Sequence, residues 1–283
     1  MDHYAGWFHK TRLADGVMEP PMWYPPELPD DKETILILAG DLWMGTKWIE
    51  YAGYSWIMKV ASRFKQVLVV LGNHDYWPQG DITILNGGDK CNAMLQDHGL
   101  YNVHVLDSSV FEIDDIVFVG ATLWTDMKKY DPLVMHNMTN FMAYDGKSAY
   151  STGDGGEWSR FTSQKWVMHH DRQRDYIKHV VKSNPDRRVV VITHHIPVLG
   201  LNDPRFNGDV SNAYYESDLS EFILDHTNIT HWFCGHTHHA SDTMIGDMRI
   251  YLNPVGYQGE HLEQQGLVKH EVIEIEPFKW DEK

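Results

Sequence analysis

Four short apolar runs constrain this chain more than any other feature of it. Thr34–Ala39 leads into Gly40-Asp41, Gln66–Leu71 into Gly72-Asn73-His74-Asp75, Arg188–Thr193 into His194-His195, and Thr230–Cys234 into Gly235-His236-Thr237-His238. Apolar runs of this length without polar alternation predict strands buried on both faces, as in a largely parallel sheet. Ligands of open α/β sheets gather beyond the carboxyl ends of the strands. Such a fold therefore brings a carboxylate, an amide oxygen and several imidazoles to one edge.

The intervening segments complete an α/β pattern. Lys47–Phe64 places Trp48, Ile49, Ala52, Trp56 and Val60 near helical spacing, which predicts a βαβ unit between the first two strands. Ser163–Lys182 and Glu216–His226 read as further helices. Val110–Ile113 and Ile116–Gly120 flank Asp114-Asp115, and Thr243–Ile245 and Met248–Asn253 flank Gly246-Asp247, so both pairs predict antiparallel hairpins. Val268–Ile275 alternates like a last strand, and the Pro-rich Glu19–Pro29 reads as a loop. The irregular, Gly-, Tyr- and Met-rich stretch 127–161 is expected to be an insertion or cap over a site. With 283 residues, 42% of them hydrophobic, the chain can bury a full core; we expect one domain, 1–283.

Composition narrows the partners. The formal charge of −16, with 24 Lys and Arg against 40 Asp and Glu, disfavours a nucleic-acid groove, since a phosphate backbone is bound mainly by cationic side chains. No apolar run approaches the roughly 18 residues of a membrane span. The first residues lack an export signal, and two cysteines, Cys91 and Cys234, cannot form a disulfide framework. A cytoplasmic protein is the expectation. Eighteen histidines, clustered at 194–195 and 236–239, make metal the first chemistry to test.

Each motif has a plainer reading. Gly-Asp after a strand is usually a turn, Gly-Asn-His-Asp can cap a helix, and a His-His pair is often structural. Four of them in this order, each ending a predicted buried strand, leave coincidence a poor account. The i, i+2 spacing of His236 and His238 puts both imidazoles on one side of an extended segment. Mixed oxygen and nitrogen donors suit Mn, Fe, Zn or Co, and the lack of thiolates argues against structural zinc. No serine or cysteine nucleophile motif competes. His169, His170 and His239 read as surface or packing residues.

The series Gly40-Asp41, Gly72–Asp75, Thr193-His194-His195 and Gly235–His238 resembles the calcineurin-like metallophosphoesterase superfamily, from about residue 34 to about 257. Gly120–Asp126 and Asn253–Tyr257 look like its bacterial and phage branch of small phosphoesterases, although Val255 stands where Arg is frequent. The resemblance implies an α/β fold, a four-layer αββα sandwich with mixed sheets. It implies hydrolysis of a phosphate ester, with a phosphodiester expected, by a hydroxide held between two divalent ions. Manganese is the expected metal, with Fe, Zn or Co as alternatives. Asp41 would bridge the ions, Asn73, His194 and His236 would complete one, and His238 would serve the other. His194 is preferred to His195 because it directly follows its strand. His74 would protonate the leaving oxygen, with Asp75 orienting its ring. Trp43, Tyr76 and Trp124 follow strand ends and are expected to wall the mouth, where aromatic faces could stack a nucleobase or aryl group. The residues after Gly40-Asp41 and Gly72-Asn73-His74 depart from the protein Ser/Thr phosphatases of the superfamily.

One motif of the family is missing. Its first strand ends in Asp-x-His, which adds two ligands to the ion served by His238, and this sequence has no such motif. Asp2-His3 is no substitute, because adjacent strand residues point to opposite faces. If the chain as given is complete, the second ion is left with Asp41 and His238, and weak occupancy with poor turnover is expected. We expect Met1 to be an internal or mis-chosen start rather than the beginning of a degenerate, non-catalytic binding or regulatory module, since an abandoned site need not keep five metal-site residues.

Overall fold

The alternating side chains of the apolar runs sort themselves into three buried layers, and these layers define the architecture. The computed structural model describes residues 24–43, 45–76, 82–141, 150–152, 158–256 and 272–275. The features read at Asp2-His3, Tyr257, the beginning of Glu19–Pro29, the first half of Val268–Ile275 and the 142–149 and 153–157 parts of the expected cap lie outside them.

Strands β1 (Ile35–Leu38), β2 (Gln66–Val69) and β3 (Val103–Val105) form a parallel sheet in that order. A six-stranded mixed sheet has the order β10-β11-β9-β8-β5-β4. Its members are β4 (Ser109–Ile113), β5 (Ile116–Ala121), β8 (Arg188–Thr193), β9 (Ile229–Cys234), β10 (Ser241–Ile245) and β11 (Met248–Leu252). Both predicted hairpins form, β4 with β5 and β10 with β11, while β5, β8, β9 and β11 run parallel. A small antiparallel pair, β6 (Tyr150–Thr152) and β7 (Trp158–Arg160), lies within the expected cap.

In β2, Val67 and Val69 pack outward with Trp56, Ile57 and Val60 of helix α1 (Tyr51–Arg63) and Leu95 of α2 (Gly87–Asp97). Leu68 and Val70 face the other way, onto Phe118, Val190 and Ile192 of the large sheet. The outer face of that sheet, through Val117, Val119, Val189 and Val191, covers Ile177 and Val181 of α5 (Ser163–Ser183) and Phe222 of α6 (Ser220–Leu224). Helix, sheet, sheet and helix thus stack in four layers, with period-two alternation dividing each strand between two cores.

Two expectations change. The helix read over Glu216–His226 shrinks to Ser220–Leu224. The preceding backbone is spent on the loop after β8: Ile196 donates to the Tyr215 carbonyl, Ser217 to Ile196 and Leu219 to Pro197. Burial on both faces holds for β8 but not for β1, whose Ile35, Leu36 and Ile37 are half-buried. Among the described residues β1 is the edge of its sheet. It borders a cavity of about 500 Å³ lined by Ile35, Ile37, Phe118, Phe233 and Ile273, which reaches Gly40, His194 and His236. The cap segment opens with α3 (Met127–Tyr130), a single left-handed turn with φ between 48° and 63°, followed by α4 (Pro132–Phe141).

Candidate metal centre

The parallel strands end at one edge, and the residues after them are stitched together by their own backbone. Gly235 N–H donates to the His194 carbonyl at 3.0 Å, His195 N–H to the Thr122 carbonyl at 3.1 Å, and the Thr122 hydroxyl to the Leu71 carbonyl at 2.7 Å. The ends of both sheets are thereby held as one unit. Close approach demands glycine at two positions. A Cβ on Gly40, whose φ is +95°, would stand 2.4 Å from His194 Nδ1, and one on Gly72 would stand 2.1 Å from Asp41 Oδ1.

Four donor atoms converge there. His194 Nε2 lies 2.9 Å from Asn73 Oδ1, 3.1 Å from His236 Nδ1 and 3.2 Å from Asp41 Oδ2. Asp41, Asn73 and His194 are all buried. The other nitrogen of His194, Nδ1, meets the Ala39 carbonyl at 2.7 Å. A carbonyl only accepts, so Nδ1 carries a proton and Nε2 is the nitrogen turned toward the group. Nε2, Asp41 Oδ2 and Asn73 Oδ1 thus face one another, three atoms that can each offer a lone pair to a cation. The chemistry of this donor set fits a divalent ion of the Mn, Fe, Zn or Co type. Asp41 and His236 also adopt left-handed backbone, with φ of 56° and 68°, the kind of strain that concentrates at functional sites.

The remaining expected residues fall differently. Among the described residues, the cluster of three His, Cys, Asp or Glu donors within 4.8 Å of one another comprises Asp41, His194 and His236. His238 is half-buried and outside it. His74 borders the cluster: its N–H donates to Asp41 Oδ1 at 2.9 Å and its Nδ1 lies 4.0 Å from Asp41 Oδ2, with the side chain 15% exposed.

Among the described residues, the Asp75 carboxylate meets backbone N–H groups where the His74 ring was expected. Its buried carboxylate accepts the N–H groups of Asp41 at 2.9 Å, Gly72 at 2.7 Å and Trp43 at 3.0 Å, bracing the two ligand loops against each other. The side chain turns inward because three otherwise orphaned backbone donors lie there. Burial, followed by the charge of Asp41, pushes its pKa up to about 7.

Trp43, Tyr76 and Trp124 do not wall the mouth either. All three are buried. Trp124 lies within the aromatic cluster of Phe161 and Trp166, with ring centroids at 4.8 and 4.5 Å, and Tyr76 packs on it at 5.8 Å. Large aromatic faces bury more apolar area in the core than at a rim, which decides against the expected position.

Sequence reasoning passed over the carbonyls of Ala39 and Thr122, which fix the rings of His194 and His195. Backbone carbonyls carry no residue signature, so nothing in the sequence marks them. It also passed over Tyr215, whose ring stacks on His236 at 4.5 Å. His195 stands behind the cluster, fully buried, with its Nδ1 on the Thr122 carbonyl at 3.1 Å. Burial, then the neighbouring His194, holds its pKa well below the usual imidazole range. His169 and His170 are packing residues, buried in α5.

The chain is similar to known proteins. A sequence model of the calcineurin-like phosphoesterase family matches residues 18–240. An uncharacterized protein, L509, of Acanthamoeba polyphaga mimivirus is 25% identical over 213 residues, covering 71% of this chain and 72% of that protein. The phosphopantetheinyl hydrolase PptH of Mycobacterium tuberculosis has a similar fold, with a TM-score of 0.57 at 17% identity over 79% of each chain. The chain belongs to the calcineurin-like phosphoesterase family and is a phosphoric ester hydrolase.

Proposed function

We propose that this chain hydrolyses a small phosphate ester, a phosphodiester in preference to a monoester, with divalent metal held by Asp41, Asn73, His194 and His236. The observation that carries the reading is the convergence of Asp41 Oδ2, Asn73 Oδ1 and His236 Nδ1 on His194 Nε2 within 3.2 Å, with the His194 ring held by the Ala39 carbonyl. A divalent cation bound there would neutralise phosphate charge and lower the pKa of coordinated water. Asp41 orients the neighbouring loop through the His74 N–H, and Asp75 keeps the Asp41 backbone in place. His74 Nδ1 is buried beside Asp41, which leaves Nε2 as the nitrogen that hands a proton to the departing oxygen.

Asp41 and His238 are the residues we assign to a second ion. The cavity beside β1 leads to His194 and His236. Manganese is our preferred metal. The acidic balance of the chain favours a small ester over nucleic acid. We treat 1–283 as one sandwich domain with 127–161 as its cap, acting in the cytoplasm; among the described residues no helix is long and apolar enough to cross a membrane.

Turnover of bis-(p-nitrophenyl) phosphate by the chelated chain, reloaded with Mn²⁺, tests the reading. Activity that needs the metal and falls by about 10²-fold or more in Asp41→Asn and His74→Ala supports it. Turnover indifferent to both substitutions, or metal content unchanged in Asp41→Asn, overturns it.

A further inference from the structure

His195 occupies a place that packing alone does not explain. Its ring centroid lies 4.3 Å from that of His236 and 5.2 Å from that of His194 on one side. On the other it meets Trp124 at 5.5 Å and Trp166 at 5.6 Å. The ring is thus a spacer between a rigid aromatic core and two of the proposed metal ligands. Its backbone is pinned as well, because the Thr193 hydroxyl donates to the His195 carbonyl at 2.7 Å while accepting from Trp232 Nε1 at 2.9 Å.

A phenylalanine would fill the same space without polar cost. The imidazole instead keeps Nε2 buried with no hydrogen-bond partner among the described residues, an arrangement native cores generally avoid. What the imidazole gains is its other nitrogen. Nδ1 faces the Thr122 carbonyl, a pure acceptor, so it carries a proton and locks the rotation of the ring about its Cβ–Cγ bond. A locked ring plane fixes the face on which His236 rests.

We propose that His195 is a positioning residue for the metal centre: the Thr122 carbonyl holds its ring, and its ring holds that of His236 with Nδ1 turned toward His194 and Asp41. This rests on the reading of Asp41, His194 and His236 as metal donors. Outer contacts that orient a ligand typically change metal affinity by about 10–100-fold.

The test is Mn²⁺ titration by calorimetry together with the visible spectrum of the Co²⁺-loaded chain, which reports ligand geometry independently of turnover. His195→Ala removes tether and face and should bind Mn²⁺ about 10–100-fold more weakly, with an altered Co²⁺ spectrum. His195→Phe restores the face without the tether and should recover part of that loss. His195→Ala or, should that variant not fold, His195→Phe binding within threefold of wild type with an unchanged Co²⁺ spectrum overturns the proposal. Wild type that binds neither ion overturns the metal reading itself, and this inference with it.

Discussion

Adding one methyl group at Gly72 should disable the site while sparing most of the fold. The backbone there does not need glycine for a positive φ, so the effect is steric. The new Cβ would stand 2.1 Å from Asp41 Oδ1, 2.6 Å from the Asp41 nitrogen and 2.7 Å from its Cγ. Ordinary contact begins at 3.4 Å, so the Asp41 carboxylate must retreat by more than an ångström. That movement breaks the 2.9 Å bond from His74 N–H and pulls Oδ2 from His194 Nε2, now 3.2 Å away. A misplacement of about 1 Å at a reacting centre costs on the order of 10²-fold in rate, and overpacking costs about 1–3 kcal/mol in stability. Gly72→Ala should therefore lose about 10²-fold in kcat/KM on bis-(p-nitrophenyl) phosphate and weaken Mn²⁺ binding, while urea unfolding of the apo protein shows a loss of about 1–3 kcal/mol. Gly99→Ala is the control. Its φ of +74° makes alanine strained by about 1–2 kcal/mol, but nothing lies within 4 Å of the new methyl, so metal binding and turnover should stay unchanged. If Gly72→Ala bound metal and turned over within threefold of wild type, the packing of Gly72 against Asp41 would not be what places the carboxylate.

Other outcomes follow from the same geometry. Asp75→Asn puts an amide donor against at least one of three backbone donors and should destabilise the protein by about 1–3 kcal/mol in urea titrations; an unchanged midpoint contradicts the bracing role. Trp124→Phe, being confined to the core, should lower Tm while leaving the ratio of KM values for aryl and alkyl esters unaltered in steady-state kinetics. Saturating the centre at 100 times Kd should raise stability by about 2.7 kcal/mol, or Tm by about 5–10 °C, reversed by EDTA in scanning calorimetry. Burial, chiefly, pushes Asp107 up to about 6 from 3.8, so the folded chain keeps a proton that the unfolded chain releases. Its contribution to stability is full below pH 3.8 and is lost as pH rises through 6. Asp107→Asn should flatten the Tm profile of the EDTA-treated protein across that window.

The family was legible in the sequence because its motifs are local patterns, and the four-layer arrangement was legible through that resemblance. Apolar runs of five or six residues make strands wherever they can be covered, and the strand-end motifs Gly40-Asp41, Gly72–Asp75, His194-His195 and Gly235–His238 name donor types without any knowledge of distance. Direction is another matter. Which way a side chain turns depends on what the rest of the chain places beside it, and that is a long-range property. Asp75 reads as a partner for the adjacent His74, yet three N–H groups, two of them from a loop more than thirty residues away, capture its carboxylate. Trp43, Tyr76 and Trp124 follow strand ends as mouth residues do, yet Phe161 and Trp166 close over Trp124 and bury it. The half-burial of β1 goes with its place at the edge of its sheet among the described residues, which no residue of β1 encodes. His194 and His195 are chemically identical. The Ala39 carbonyl turns one ring into the cluster and the Thr122 carbonyl holds the other behind it, and only the folded backbone brings those carbonyls near.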